Sequence, residues 1–416
     1  MTIQGLRTSS NFATDERPKN WREGILRMQF NGNVPLTALT NAMKKRTLDD
    51  PEFNWWEKQR PARRLELHAT NGNLTTTNTA IVLAASADAT QFKAGDCLMV
   101  ESTGEIIEIA ADPSTATGFT AVRARQGSTA ATLDANGAGI NPNLLYMGSM
   151  NEEGSLAPTG VNYEPVKVYN YTQIFRDTLE MTRTASKVRL RTKEQIVEAK
   201  RECLEIHAQG MERAWFLGGR SEIIKLGKPA RSTGGVQFFL QQYNSGSNIK
   251  NVKADYSGGL TMLGLEEYLR LIFEFGSSEK VAFCGTVALL AIQRVIRKNG
   301  NFQFHSGITE YGMKVARLEC PFGTLVLKNH PMLNEVGGGT TAGTDFYGMN
   351  SWMIILDMAN IQYAHLKGDD TRYEPNLQAN GMDGLQSGYI SECGLEIAHA
   401  RTHFILKNVF TGVADA

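Results

Sequence analysis

From residue 166 onward the apolar positions of this chain fall into clear periods, and before it they mostly do not. Residues 166–175 and 177–182 predict two extended strands. Thr192-Lys193-Glu194-Gln195 then has the form of a capping box, the Thr192 and Gln195 side chains each accepting from the other's backbone N–H. The helix it opens runs to about Leu217, where Gly218-Gly219 can supply a left-handed cap. About 25 residues at 1.5 Å each make a rod of roughly 38 Å. Ile196, Ala199, Cys203, Ile206, Gly210, Ala214 and Leu217 form the predicted apolar face. Glu194, Glu198, Lys200, Arg201, Glu202 and Glu205 cover much of the rest. Such a helix lies across a sheet. Beyond residue 235 the pattern is a helix over 263–275 ended by Gly276, a buried strand over 280–284, and a helix over 286–298 ended by Gly300. Strands at 313–319 and 324–328 flank the turn Cys320-Pro321-Phe322-Gly323, another covers 352–356, and 391–410 contains a long final one. Helix–strand–helix at this spacing implies helices packed on a central sheet.

The first half is less periodic. Residues 4–33 are polar and Arg-rich and predict an arm, which must dock on its own subunit or a neighbour to be ordered. Residues 36–45 look helical, Asp50-Pro51 marks a break, and 53–57 and 64–68 look extended. Between about 75 and 160 the composition shifts to Thr, Ala, Gly and Asn. Short strands at 95–100, 104–109 and 120–125 predict an inserted small β-barrel or sandwich.

Composition narrows the function. The 416 residues allow two or three domains and a sizeable core. With 43 basic and 43 acidic side chains, affinity gained by neutralising nucleic-acid phosphates is excluded, and so is a charge-extended disordered chain. No apolar run approaches the roughly 18–20 residues that span a bilayer, and Met1-Thr2-Ile3-Gln4-Gly5 opens no secretory signal. A soluble protein of a reducing cytoplasm is expected. The five cysteines (Cys97, Cys203, Cys284, Cys320, Cys393) are scattered, never CxxC, and read as small buried hydrophobes.

Motifs for chemistry fail one by one. Gly227-Lys228 runs into Pro229, and the loop Gly337-Gly338-Gly339 has no lysine, so neither is a phosphate-binding loop; no GxGxxG opens a helix after a strand. His399 and His403 have zincin spacing, but Ala400 stands where the glutamate is required. On a strand they would lie about 13 Å apart at about 3.3 Å per residue. Glu310, Asp369 and Asp370 with His305 can be assembled into an acid–base set only on paper, and a solvated loop is the simpler reading. No GxSxG occurs. The expectation is no enzyme: no catalytic, cofactor-binding or metal residues, and no cofactor.

An arm, a long β excursion, one long spine helix, an α/β domain and a closing strand together resemble the major capsid (major head) proteins of tailed bacteriophages, of the Hong Kong 97-type fold. Asn170-Tyr171-Thr172-Gln173-Ile174-Phe175-Arg176 leading into the spine helix is similar to one branch of these proteins. So is the stretch from Asp357-Met358 through Gly368-Asp369 and Glu392-Cys393-Gly394-Leu395-Glu396-Ile397 to Ala400 and His403. The resemblance covers most of the chain from about Trp55. It implies an α+β fold with an N-terminal arm over 1–34 and a junction over 35–60. An extended E-loop over 61–190 would carry the β module at about 90–150. The P-domain spine helix would take 191–235, the A-domain 236–365, and P-domain closing strands 366–416. It implies self-assembly into hexamers and pentamers of an icosahedral head around double-stranded DNA, touched without sequence specificity. Further implied partners are a separate scaffolding protein, a portal protein at one vertex and an optional decoration protein, with no membrane. Assembly is expected in the host cytoplasm and residence in the virion. Too little chain precedes Trp55 for a cleaved scaffolding segment of about a hundred residues, so none is expected. The glycines at 337–339 and near Gly218 and Gly234 are expected to let one chain fit several quasi-equivalent environments. An encapsulin-type compartment protein is the near alternative, needing a cargo-peptide groove, and a trimeric tail or adhesin component a more distant one.

Overall fold

The computed structural model describes residues 43–58, 63–68, 73–84, 89–134, 143–188, 195–243, 251–253, 259–299, 304–310, 313–335 and 349–410. The chain divides into two compact units, Trp56–Lys167 and the remainder. The arm, the Thr192 capping box and the Gly337 loop lie outside the described residues.

The larger unit is α+β and is built on two large sheets. In the first, Lys45–Leu48 runs parallel to Ile361–Leu366, which pairs antiparallel with Gly384–Ile397, which in turn pairs with Gln173–Thr182 over ten positions. Arg372–Glu374 also pairs with Gly384–Ile397. The second sheet has seven strands, in the order Val252–Lys253, Phe404–Leu406, Met353–Leu356, Glu279–Cys284, Gly323–Asn329, Met313–Cys320 and Phe304–Glu310. Its central strands are apolar on both faces because both are covered. Ala282, Cys284, Leu325, Leu327, Met353 and Ile355 meet Leu265, Leu269, Ala288, Ile292 and Val295 of helices Met262–Ile272 and Thr286–Asn299. On the other face Phe283, Ile354, Leu356 and Ile405 join the core of Trp215, Phe216 and Phe239.

The helix Gln195–Leu217 rises roughly 34 Å at 1.5 Å per residue and packs on strands Gln173–Thr182 and Gly384–Ile397. Its buried residues are Cys203, His207, Met211, Glu212, Trp215 and Phe216. The inward stripe is thus turned by roughly a third of a turn from the apolar face predicted above, at 100° per residue. Ile206 is 60% exposed. A count of apolar letters mislocates the stripe because two of its inward residues, His207 and Glu212, are polar.

Four further expectations change. Residues 43–45 are not helical, Lys45 opening a strand instead. The strand expected over 166–175 breaks at Thr172, whose N–H donates to the Pro51 carbonyl and whose hydroxyl donates to Glu392. Gly218 is no left-handed cap: a Cβ there would collide with the Ala214 and Thr233 carbonyls, so close backbone approach is what requires glycine. The closing strand ends at Ile397, because His399 turns into the left-handed region (φ 51°) and a 3-10 turn at Ala400–Thr402 follows before Phe404–Leu406.

The smaller unit contains a six-stranded antiparallel sheet ordered Arg64–Glu66, Asn143–Ser149, Asp96–Val100, Ile106–Ile109, Gly118–Val122, Ala80–Val82. The two ends of that order meet: Leu67 bridges Leu83, His68 N–H donates to the Val82 carbonyl, and Ala84 N–H donates to Glu66. The sheet is therefore a closed small barrel. Leu65, Leu67, Ile81, Phe92, Leu98, Ile107, Phe119 and Leu144 fill its core. One ion pair is buried with it. Arg123 forks onto Glu105 through two 2.6 Å bonds and also donates to the carbonyls of Thr75, Asn78 and Ala131. Burial opposes the Glu105 charge, but Arg123 and the N–H groups of Ala131 and Ala124 outweigh it and hold its pKa below the ordinary value.

Candidate assembly surface

The residues singled out from sequence do not converge. His305 and Glu310 belong to an edge strand of the seven-stranded sheet. Asp369 and Asp370 follow a strand of the other sheet, where Asp370 accepts from the Tyr363 hydroxyl and the Thr371 N–H and Asp369 pairs with Arg372. His403 is fully buried and takes the Asp357 N–H on Nδ1, whereas His399 caps the 3-10 turn. Among the described residues no three His, Cys, Asp or Glu side chains are grouped to hold a metal. All five cysteines are free, four of them buried. Burial raises the thiol pKa of Cys97, Cys203, Cys284 and Cys393, the last to about 12.

What sequence reasoning missed is a set of polar knots under the long helix. His207 Nδ1 lies 2.8 Å from Asp177 Oδ2, and its Nε2 lies 2.8 Å from Ser391 Oγ. Asp, His and Ser in a row have the order of a hydrolytic triad, yet Ser391 is fully buried and its hydroxyl is bonded to Thr371. A nucleophile must be reachable by the reacting carbon, and this oxygen is shut away from solvent. The row ties helix to sheet. Five residues on, Glu212 Oε1 accepts from His330 Nε2 at 2.7 Å, while His330 Nδ1 accepts the Met332 N–H. Two knots, on different sides of one helix, hold it against both sheets. No local motif announces them; the only hint is His207 lying one turn beyond Cys203.

A third knot holds the end of helix Met262–Ile272. The Lys280 ammonium is buried and donates to the carbonyls of Ile272, Phe275 and Thr402 at 2.6–2.7 Å. Burial lowers its pKa to about 8, with Asp357 acting in the opposite sense. Burial also works against the Asp357 charge, but the donors of Ser277 and Ala359 prevail and keep its pKa low.

Several large apolar side chains face outward. Trp56, Met147, Leu156, Ile174, Val197, Ile206, Leu263 and Phe322 are all exposed. After the long helix, Ser221–Lys225 and Lys228–Ser232 form a hairpin that sequence reading did not find. Its two-residue loop has φ > 0 at both Leu226 (51°) and Gly227 (73°), which is the type I′ pattern. The base is clamped: Ser232 Oγ donates to Gly219, Ser221 and Ser232 bond each other, and Arg220 donates to Tyr169 and stacks 3.8 Å from its ring. The tip is bare, with Ile224 82% and Leu226 95% exposed. Among the described residues no helix is long and apolar enough to cross a membrane.

The sequence profile of the SU10 major capsid protein family matches residues 7–410. A major capsid protein of Pseudomonas phage PaMx41 is 24% identical over 375 residues, covering 87% of this chain and 82% of that protein. Among solved structures, the capsid of an empty GTA particle aligns over 98% of this chain and all of that one, at 8% identity and a TM-score of 0.47. The SrpI encapsulin of Synechococcus elongatus PCC 7942 aligns over 60% and 78%, at 12% identity and a TM-score of 0.41. At these scores the structural likenesses decide nothing; the family match does, and it favours a phage head over a compartment shell or a fibre. Apolar area turned outward, and polar groups turned inward to lock two sheets onto one helix, are what a shell subunit requires, and the chain belongs to the SU10 major capsid protein family, as a structural protein of the virion shell.

Proposed function

We propose that this subunit adopts the Hong Kong 97-type arrangement and assembles into hexamers and pentamers of an icosahedral head that encloses phage double-stranded DNA. The observation that carries this reading is the distribution of exposed apolar side chains over both units, from Met147 and Leu156 to Ile206, Ile224, Leu226 and Phe322. A shell subunit meets many neighbours through individually modest interfaces, and apolar side chains exposed in several places are compatible with that. In this reading Gln195–Leu217 is the spine helix of a P-domain completed by Gly384–Ile397, and the seven-stranded sheet with its two helices is the A-domain. The closed barrel is an insertion in the E-loop. A zero net charge suits an inner wall that contains DNA without binding it tightly. A separate scaffolding protein, a portal at one vertex and a decoration protein are the further partners proposed, with assembly in the host cytoplasm.

Sedimentation of the purified chain followed by negative-stain microscopy tests this. Rings of five and six, or closed angular shells, are expected. A monomer or trimer that assembles neither alone nor with scaffold would overturn it.

A further inference from the structure

Leu226 poses an energetic problem. A non-glycine residue in the left-handed region costs roughly 1–2 kcal/mol, and type I′ loops favour Asn or Asp at this first position. At 95% exposure Leu226 recovers none of that from its own subunit. Ile224 beside it is nearly as exposed, and Lys225 and Lys228 flank the loop without an ion pair to any described residue. Glu222 and Arg231, lower on the hairpin, pair with each other. The tip is thus an apolar knob with two positive charges on a rigid base.

A surface of the opposite character lies elsewhere on the same unit. A groove of about 750 Å³ runs between helix Met262–Ile272 and the turn at 320–323. Leu263, Leu269, Cys320, Pro321 and Phe322 give it an apolar floor and wall. Leu263 is 77% exposed and Phe322 49%. Its rim carries Glu266, Glu267 and Glu319 against a single Arg270, a net charge of −2 (three acidic, one basic), and none of the three glutamates pairs with a described residue. Leu263, Glu266, Glu267 and Arg270 fall on one helix face at i, i+3, i+4 and i+7.

We propose that the hairpin tip of one copy of this chain seats in this groove of a second copy, Leu226 and Ile224 against Leu263 and Phe322, and Lys225 and Lys228 beside Glu266 and Glu267. This rests on the shell reading and gives it a specific contact. Knob and groove are different surfaces, so the contact is heterologous and propagates from copy to copy, closing into rings when the rotation permits. Burial in the neighbour is what repays the strained leucine.

The test uses the full-length chain under conditions where wild type assembles. Leu226→Asn places the preferred Asn-Gly pair in the loop, so the subunit is expected to melt no lower than wild type. It should nonetheless need at least about tenfold more protein to assemble, the loss of roughly 1.4 kcal/mol per contact. Lys225→Glu with Lys228→Glu, and Glu266→Lys with Glu267→Lys, should each block assembly, and the four changes together should restore it. Leu226→Cys provides a readout that does not need shells. Mild oxidation of this variant as concentrated soluble protein should join the introduced thiol at position 226 of one chain to the native Cys320 lining the groove of another, and adding Cys320→Ser should abolish the product. Assembly of Leu226→Asn at the wild-type concentration, failure of the combined charge swap to rescue, or oxidation yielding only 226–226 dimers would each overturn the proposal. Absence of any wild-type assembly would instead sink the shell reading, and the 226–320 cross-link would still decide this one.

Discussion

Acid should loosen this subunit through His403 before its carboxylates titrate. The ring is fully buried, and burial lowers its pKa to about 4 from the ordinary 6.5. Asp357 and the Ala398 carbonyl pull upward, and Lys280 and His399 pull downward. Above pH 6.5 the imidazole is neutral in both folded and unfolded chains and nothing is lost. Between 6.5 and about 4 the unfolded chain takes up a proton that the folded chain refuses, so stability falls as pH falls, by about 1.4 kcal/mol per pH unit. Over the whole window the loss is roughly 3 kcal/mol, and it ends once the folded ring also protonates. Aspartates and glutamates have unfolded pKa values of about 4, so most of their linkage lies below pH 5. Urea unfolding of the unassembled chain at half-unit steps from pH 7.5 to 4.5 should show this slope. His403→Gln costs stability at pH 7.5, because a fitted ring that accepts the Asp357 N–H is lost. It should nevertheless flatten the slope between 6.5 and 5 by close to one proton. An unchanged slope in this variant would refute the assignment.

Three further outcomes follow from the packing. Arg123→Met strands the Glu105 carboxylate inside the barrel and should cost about 3–5 kcal/mol; amide exchange should quicken near residues 75–78 and 131, and adding Glu105→Gln should recover much of the loss. Gly218→Ala drives a methyl into the Ala214 and Thr233 carbonyls and should cost about 1–3 kcal/mol in thermal unfolding. Gly219→Ala, with nothing within 4 Å, should stay within about 0.5 kcal/mol of wild type. Glu212→Ala should destabilise by about 3 kcal/mol, since it leaves the buried His330 N–H facing a void. Glu212→Gln should cost less than half of that in the same assay, because its amide oxygen still accepts.

Where period and punctuation agree, the chain is legible. Thr261 caps its helix by accepting the Gly264 N–H, Gly276 turns left-handed after it, and Glu279–Cys284 is a buried strand, as the apolar run from Val281 implies. The Thr- and Gly-rich stretch did signal a small barrel, because short strands with turn residues between them are a local property. Rotation of the long helix was not legible: it depends on Asp177, Ser391 and His330, up to 184 positions from their partners on the helix. The break at His399 follows from the packing of a buried His403 against Asp357, which the apolar letters around it conceal. The hairpin over 221–232 was hidden for a different reason. Leu-Gly is a poor advertisement for a type I′ loop, and with every residue of Ser221–Lys225 exposed there is no in–out alternation to read.

The closure of the barrel has a consequence for crowding. A virion shell holds its subunits side by side at an effective concentration far beyond that of any free protein. Under that condition an open sheet edge is a template on which the next copy can add a strand in the wrong register. Among the described residues of this barrel, the bridge between Leu67 and Leu83 joins the two strands that would otherwise be its edges. The insertion can therefore sit among many identical copies without cross-strand polymerisation competing with the lattice.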